Sequence, residues 1–339
     1  MKKNLLFFSI GIGDCLMSLP AVRALVKKRR ERYYAFCINP VVRNILINSK
    51  LFEKVYFINF LNQNMFRSLL DMINLRKEKF DLGILLFPAN HYIYRLVLKF
   101  IVSKIHFHKY IKNDLINLYN LSQTDITQTK DSHSSEENYK LLEMVYKIDL
   151  EREYKLFLDI EKKEREDSDF TIGIHAGSDT LKNLSVKRWP YYRELIKKIN
   201  QKQKYKFKLF GAPSEYSLNE SIAKGIESVV VIKEKNFFDS AREIKNCDLF
   251  ISNDSGLLHT AVALGLPTIS IFGPTNYLNT KPLVGNHRVI SLNLSCSPCY
   301  QYSKNALICT NTEKYACMTK LEVDKVYKCF KGIEKEILK

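Results

Sequence analysis

The chain has 339 residues, 46% of them hydrophobic and 26% charged, which excludes a disordered or fibrous polypeptide and is enough for two domains with separate cores. Its formal net charge of +17 calls for an anionic partner or surface, but no zinc-finger, basic-zipper or RNA-binding aromatic signature is present, so nucleic acid is not expected among its partners. No apolar run approaches the roughly 20 residues that cross a bilayer. The short apolar stretch after Lys2-Lys3 lacks the length and the cleavage site of a secretory signal, so the chain is expected in the cytoplasm, with any contact to an anionic inner membrane peripheral.

In chain order, strands are predicted at 5–10, 33–38, 55–58 and 82–87, with helical patterns between them, as at 64–77. Strands of continuous apolar character alternating with amphipathic helices imply a parallel sheet covered on both faces. The densest basic run, 27–32, falls at the C-terminal end of the first helix, where cations complement the dipole. The pattern weakens between 109 and 130, a helix follows at 134–148, and the charged stretch 149–169 reads as a connection between domains. A second series then places strands at 171–175, 206–210, 229–232, 249–252 and 268–272, and helices at 191–200, 215–224, 238–245 and 257–264. The expected division is a domain over 1–150, a linker over 151–170, a domain over 171–320 and a terminal segment, 321–339, whose helix packs back on the first domain. Two facing doubly wound sheets would put a ligand cleft between their carboxyl edges.

Four strand-to-helix junctions carry the candidate chemistry. The first is Gly11-Ile-Gly13-Asp14, with Pro20 beyond it. Its glycines let the backbone approach a ligand, and Asp14 is placed either as a general base or as a helix N-cap. Leu16 stands where the third glycine of a dinucleotide fingerprint would fall, and no phosphate-loop lysine follows. The second is His175-Ala-Gly177-Ser178 with Lys187-Arg-Trp-Pro190: Lys187 is placed to reach a diphosphate or to lie in solvent, Trp189 to pack, and Pro190 to open a helix. The third ends in Glu215, set to meet a ribose hydroxyl or to favour a helix N-terminus. The fourth is Asn253-Asp254-Ser255-Gly256 with His259, followed by Gly273-Pro274-Thr275. A strand running straight into a helix here aims free N–H groups at one point, an anion site by geometry.

Taken in order, GxGDxxxxxP, KxWP, DSGxxHxAxAxxxP and FGPT resemble glycosyltransferase family 9, the bacterial heptosyltransferase family. The resemblance runs from residue 9 to about 275. It implies the GT-B fold, two facing Rossmann-like domains with an interdomain cleft, the first binding the acceptor and the second the nucleotide sugar. It also implies inverting, cofactor-independent transfer from a nucleoside-diphosphate sugar, ADP-heptose being favoured, onto an anionic glycolipid acceptor such as the lipopolysaccharide core. On that basis Asp14 is the catalytic base, and Gly13, Ser178, Lys187, Glu215, Asp254, Ser255, Gly256 and His259 are donor-binding. Ser255 stands where threonine is common, with the hydroxyl kept. Residues 40–150 match no motif of the family. A protein acceptor, a GT-B nucleotide-sugar epimerase and an inactive nucleotide-binding scaffold are the competing readings.

Two further features fall outside those motifs. Cys296, Cys299, Cys309 and Cys317 lie within 22 residues, a spacing that suits a structural zinc or iron site or four reduced thiols. Asp167-Ser-Asp169 has the form of a metal-dependent transferase motif, but it lies in the charged connection and reads as a chance match.

Overall fold

The computed structural model describes residues 2–8, 11–60, 63–89, 91–108, 131–162, 169–178, 185–201, 205–234, 236–300 and 307–339. The polar stretch 109–130 and Asp167-Ser168 lie outside them. The chain divides into two compact units, 1–159 and 160–339.

The first unit runs β1 (Lys3–Phe7), α1 (Ile12–Lys28), β2 (Arg32–Cys37), α2 (Pro40–Asn48), β3 (Lys54–Phe57), α3 (Met65–Lys77), β4 (Leu82–Leu85), α4 (Tyr92–Ile101), β5 (Ile105–His106) and α5 (Ser134–Tyr146). Its five strands are all parallel, in the order β3-β2-β1-β4-β5. Leu5, Leu6 and Phe7 of the central strand are fully buried, as a strand covered on both faces requires. Leu5 lies opposite Tyr34 and Gly83, and Phe7 opposite Phe36 and Leu85. Asn39 and Asn64 cap α2 and α3 with their side-chain oxygens, and Pro40 opens α2. Because the strand order reverses on either side of β1, the turn after β1 sits at the switch point of this sheet.

The second unit runs β6 (Thr171–His175), α6 (Tyr192–Ile199), β7 (Lys206–Leu209), α7 (Tyr216–Ala223), β8 (Val229–Val231), α8 (Phe237–Lys245), β9 (Leu249–Asn253), α9 (Gly256–Ala263), β10 (Thr268–Ile271), α10 (Tyr277–Thr280), β11 (His287–Ile290), α11 (Ala316–Thr319) and α12 (Val323–Ile337). Six parallel strands take the order β11-β10-β9-β6-β7-β8. The carboxyl ends of the neighbours β6 and β9 form the switch point. Strand β11 escaped the sequence reading because only Ile290 of its four residues is buried.

The last helix buries Val326, Phe330 and Ile333 in the core of the second unit with Trp189, Tyr192 and Ile196. The Trp189 indole N–H, packed in that core as expected, donates to the Leu321 carbonyl at 2.8 Å and ties the chain entering α12 to α6. Pro190 does not open a helix; α6 begins two residues later, with Tyr191 as its N-cap residue. Among the described residues no helix is long and apolar enough to cross a membrane.

Candidate functional site

At the carboxyl end of β9 the buried side chain of Asn253 joins three segments. Its Oδ1 accepts from the Trp189 N–H at 3.1 Å and the Tyr192 hydroxyl at 2.9 Å, and its Nδ2 donates to the carbonyls of Ala176 at 2.9 Å and Gly177 at 3.1 Å. All four of its hydrogen-bonding positions are used, so the ends of β6 and β9 and the entry to α6 hold one geometry.

Ser255 is the N-cap residue of α9, its hydroxyl accepting from the Leu258 N–H. That hydroxyl also lies 2.8 Å from His175 Nδ1, while His175 Nε2 lies 3.2 Å from Glu215 Oε2. The ring thus bridges the Ser255 hydroxyl and the Glu215 carboxylate, to which its Nε2–H can donate. Glu215 Oε2 also accepts from the Ala212 N–H at 2.8 Å, and Arg188 stands 3.5 Å from Oε1. Burial opposes its charge, but His175, the Ala212 amide and Arg188 hold the carboxyl below its ordinary value. Gly177 is required here, since a Cβ at that position would fall 1.9 Å from Glu215 Oε1. Both oxygens of Glu215 are thus engaged within the protein. Arg188 reaches onward to Ser178, donating to its hydroxyl at 3.3 Å and its carbonyl at 2.9 Å.

Lys187 is not a solvated lysine. Its ammonium donates to the Asp254 carbonyl at 2.8 Å and lies 3.5 Å from Asp254 Oδ2, with both side chains only 12% exposed. Burial raises the Asp254 pKa, yet Lys187 and His259 outweigh it and keep the carboxyl below its usual range. His259 is buried one turn into α9. Burial drives its pKa down, Asp254 pulls it back and Lys187 lowers it again, leaving it at about 4. At neutral pH the ring is therefore uncharged, and its Nδ1 has no hydrogen-bond partner among the described residues. A buried ring nitrogen without a partner beside a helix N-terminus and a lysine is a place where an oxygen of a ligand can bind.

In the first unit, Asp14 occupies the third position of α1, and Gly11, not Asp14, is the N-cap residue. A Cβ on Gly11 would stand 2.5 Å from Asp14 Oδ2, so the glycine makes room for the carboxylate to fold back over the turn. The Ser18 hydroxyl donates to the Asp14 carbonyl at 2.7 Å and accepts from Asn138 Nδ2 at 3.2 Å. Asn138 Oδ1 in turn accepts from the Phe87 N–H at 2.8 Å, so α5 and the exit of β4 hold the first turns of α1.

The second unit therefore gathers Ser178, Lys187, Glu215, Asp254, Ser255, Gly256 and His259 at one edge of its sheet. Gly13 and Asp14 stand at the carboxyl edge of the other sheet. The sequence reading placed His175, Arg188 and Asn253 in its junctions but gave none of them a role in the site. The signal for each was its position, a polar residue at a strand end or beside Lys187, but nothing local named its partners.

The four cysteines, which the spacing left as a structural zinc or iron site or as reduced thiols, form no disulfide. Burial and the neighbouring Cys299, Cys309 and Cys296 push the Cys317 thiol up to about 11, so the four sulfurs lie close enough to influence one another. However, Cys296 Sγ accepts from Asn311 and Cys309 Sγ from the Tyr315 N–H, each at 3.3 Å. Among the described residues no three His, Cys, Asp or Glu side chains come together to hold a metal ion.

Two doubly wound parallel units, one with a cation-flanked helix N-terminus at its switch point and the other with a carboxylate at a glycine turn, define a glycosyltransferase of the GT-B class. The chain belongs to glycosyltransferase family 9 (heptosyltransferase), whose sequence model matches residues 74–308. That span contains the whole second-unit site and excludes Asp14. The chain is 25% identical over 333 residues to lipooligosaccharide heptosyltransferase 2 of Campylobacter jejuni, covering 93% of this chain and 94% of that one. Its fold is similar to that of the E. coli ADP-heptose lipopolysaccharide heptosyltransferase II, with a TM-score of 0.72, 19% identity and 98% of each chain covered. It is also similar to the iron-containing dodecameric glycosyltransferase TibC of enterotoxigenic E. coli, with a TM-score of 0.64, 11% identity, and 99% of this chain and 77% of that one covered.

Proposed function

We propose that this glycosyltransferase moves heptose from ADP-heptose onto a lipopolysaccharide or lipooligosaccharide core acceptor, in the cytoplasm and with inversion at the anomeric carbon. The reading rests above all on Lys187, Asp254 and His259 around the N-terminus of α9. Lys187 and the first-turn amides of α9 carry the diphosphate, and neutral His259 donates a ring N–H to a phosphate or sugar oxygen. Glu215 acts by orienting His175 and Arg188, which set Ser255 and Ser178. Asp14 takes the proton of the acceptor hydroxyl as its oxygen attacks the anomeric carbon. The bond from that carbon to the phosphate oxygen breaks, and ADP leaves with its new charge met by Lys187 and the helix terminus. These groups supply the charge stabilisation for which many transferases use a divalent cation. The names of the Campylobacter and E. coli relatives support the donor and the acceptor.

Incubation with ADP-heptose and a heptose-deficient core glycolipid should yield ADP and an acceptor one heptose heavier by mass spectrometry. Transfer from another nucleotide sugar and none from ADP-heptose would reject the donor. The anomeric configuration of the product, read by its NMR coupling, tests inversion.

A further inference from the structure

Two helices of the first unit turn apolar side chains to solvent. On α3, Met65 is 88% and Phe66 70% exposed, with Leu69 and Leu70 beside them; on α4, Leu96 is 54% exposed, with Tyr92, Ile93 and Phe100. The spacings i, i+1, i+4, i+5 and i, i+1, i+4, i+8 put each set on one helix face. The helices pack against each other, and Arg76 of α3 donates to the Phe100 carbonyl of α4 at 3.0 Å, so the two faces adjoin. The core already receives Leu75, Leu98 and Ile101 from the opposite faces. The most outward members, Met65, Phe66 and Leu96, are thus more than half exposed, and the set is too contiguous to be the usual scatter of exposed apolar residues.

The charge around this face has one sign in excess. Arg67, Arg76, Lys77, Lys79, Lys99 and Lys104 are exposed along the same stretch. Its acidic residues are already engaged: Asp71 with Arg67 at 3.5 Å, Glu78 with Lys3 and Lys54 at 3.9 Å each, and Asp81 with the Lys3 N–H. An apolar face with Arg76, Lys77, Lys79, Lys99 and Lys104 flanking it at the C-terminal ends of α3 and α4 complements the interface of an anionic bilayer, where the side chains enter the acyl boundary and the cations meet the headgroups. In a parallel sheet each strand's carboxyl end feeds the next helix N-terminus. The first-turn residues Met65, Phe66, Tyr92 and Ile93 therefore lie at the same edge as the turn carrying Asp14.

We propose that the α3–α4 face docks the first unit on an anionic phospholipid bilayer, bringing the Asp14 edge to the lipid surface. This stands independently of which sugar is transferred. The full-length protein should sediment with phosphatidylethanolamine–phosphatidylglycerol vesicles and stay in solution with phosphatidylcholine vesicles. Met65→Ser with Phe66→Ser, and separately Ile93→Ser with Leu96→Ser, should lower the partition coefficient by roughly tenfold or more, while ADP binding and the thermal melt stay as in the wild type. A second variant, Lys77→Gln with Lys79→Gln and Lys99→Gln, touches no core residue and should remove the preference for anionic vesicles. Equal partition of wild type and all variants would overturn the proposal. So would a wild type that ignores vesicles and self-associates by light scattering while the serine variants are monomeric, because a second copy would then cover the face.

Discussion

Lys187 and Asp254 lie side by side with little access to water, so each depends on the other. Lys187→Ala removes the positive charge meant for the diphosphate and also strands a buried carboxylate. Nucleoside-diphosphate affinity should fall by about tenfold or more, the loss expected for a charge-assisted hydrogen bond, and the thermal midpoint should drop as well. Adding Asp254→Asn should recover much of the midpoint but not the affinity; recovery of both would place the phosphate elsewhere. For His259 the folded pKa of about 4 lies below the ordinary value of about 6.5. The unfolded chain therefore binds the proton more readily. The stabilising contribution is complete above pH about 6.5 and is lost as the pH falls toward 4. Denaturant unfolding at pH 7 and pH 5 should show a smaller acid loss in His259→Asn than in the wild type; equal losses would mean the ring is not held neutral. Asp14→Asn should leave folding and ADP binding unchanged and lower turnover by roughly 100-fold or more, as loss of a general base does. Turnover near that of the wild type would remove Asp14 from the reaction.

At the scale of elements, each candidate group stands where a strand hands over to a helix. Helix α9 combines a hydroxyl cap, a dipole aimed outward and Lys187 beside it. Turnover should accordingly persist in EDTA, since fixed groups already meet the charge of the leaving ADP; loss of activity that magnesium or manganese restores would defeat this. Ser255→Ala removes both the cap and the partner of His175. It should cost about 1 kcal/mol of stability for the cap and weaken donor binding through the freed imidazole. The regular elements were largely legible in the sequence, because apolar runs and capping residues such as Asn64 and Ser255 are local signals. Strand β11 was not, since three of its four residues are only half-buried and leave no apolar run to detect. The site was legible as a set of junctions, but the roles within them were not. Glu215 read as a ribose contact or a residue favouring a helix N-terminus, and its sequence neighbours did not name His175, Ala212 and Arg188 as the groups beside its oxygens.

At the scale of the whole chain, the second unit includes its C-terminal helix as part of its core. Phe330→Ala should destabilise that unit by about 3–5 kcal/mol, the range for emptying a buried aromatic site. Removal of residues 322–339 should abolish ADP binding, read by calorimetry, although no residue of the site is deleted. Unimpaired binding by the truncated chain would contradict the packing of α12. By itself the sequence determined the alternation of strand and helix, the parallel character of both sheets and the Asn253-Asp254-Ser255-Gly256 junction, all of which depend on residues a few positions apart. Only the tertiary structure decided that Lys187 meets Asp254 across 67 residues, and that His175 joins Glu215 and Ser255 across 40 and 80. It likewise decided where α12 packs and which faces of α3 and α4 stay in water. The physical reason is common to these cases: an apolar period tells which residues seek burial, while the order of strands in the sheet sets the partners they find.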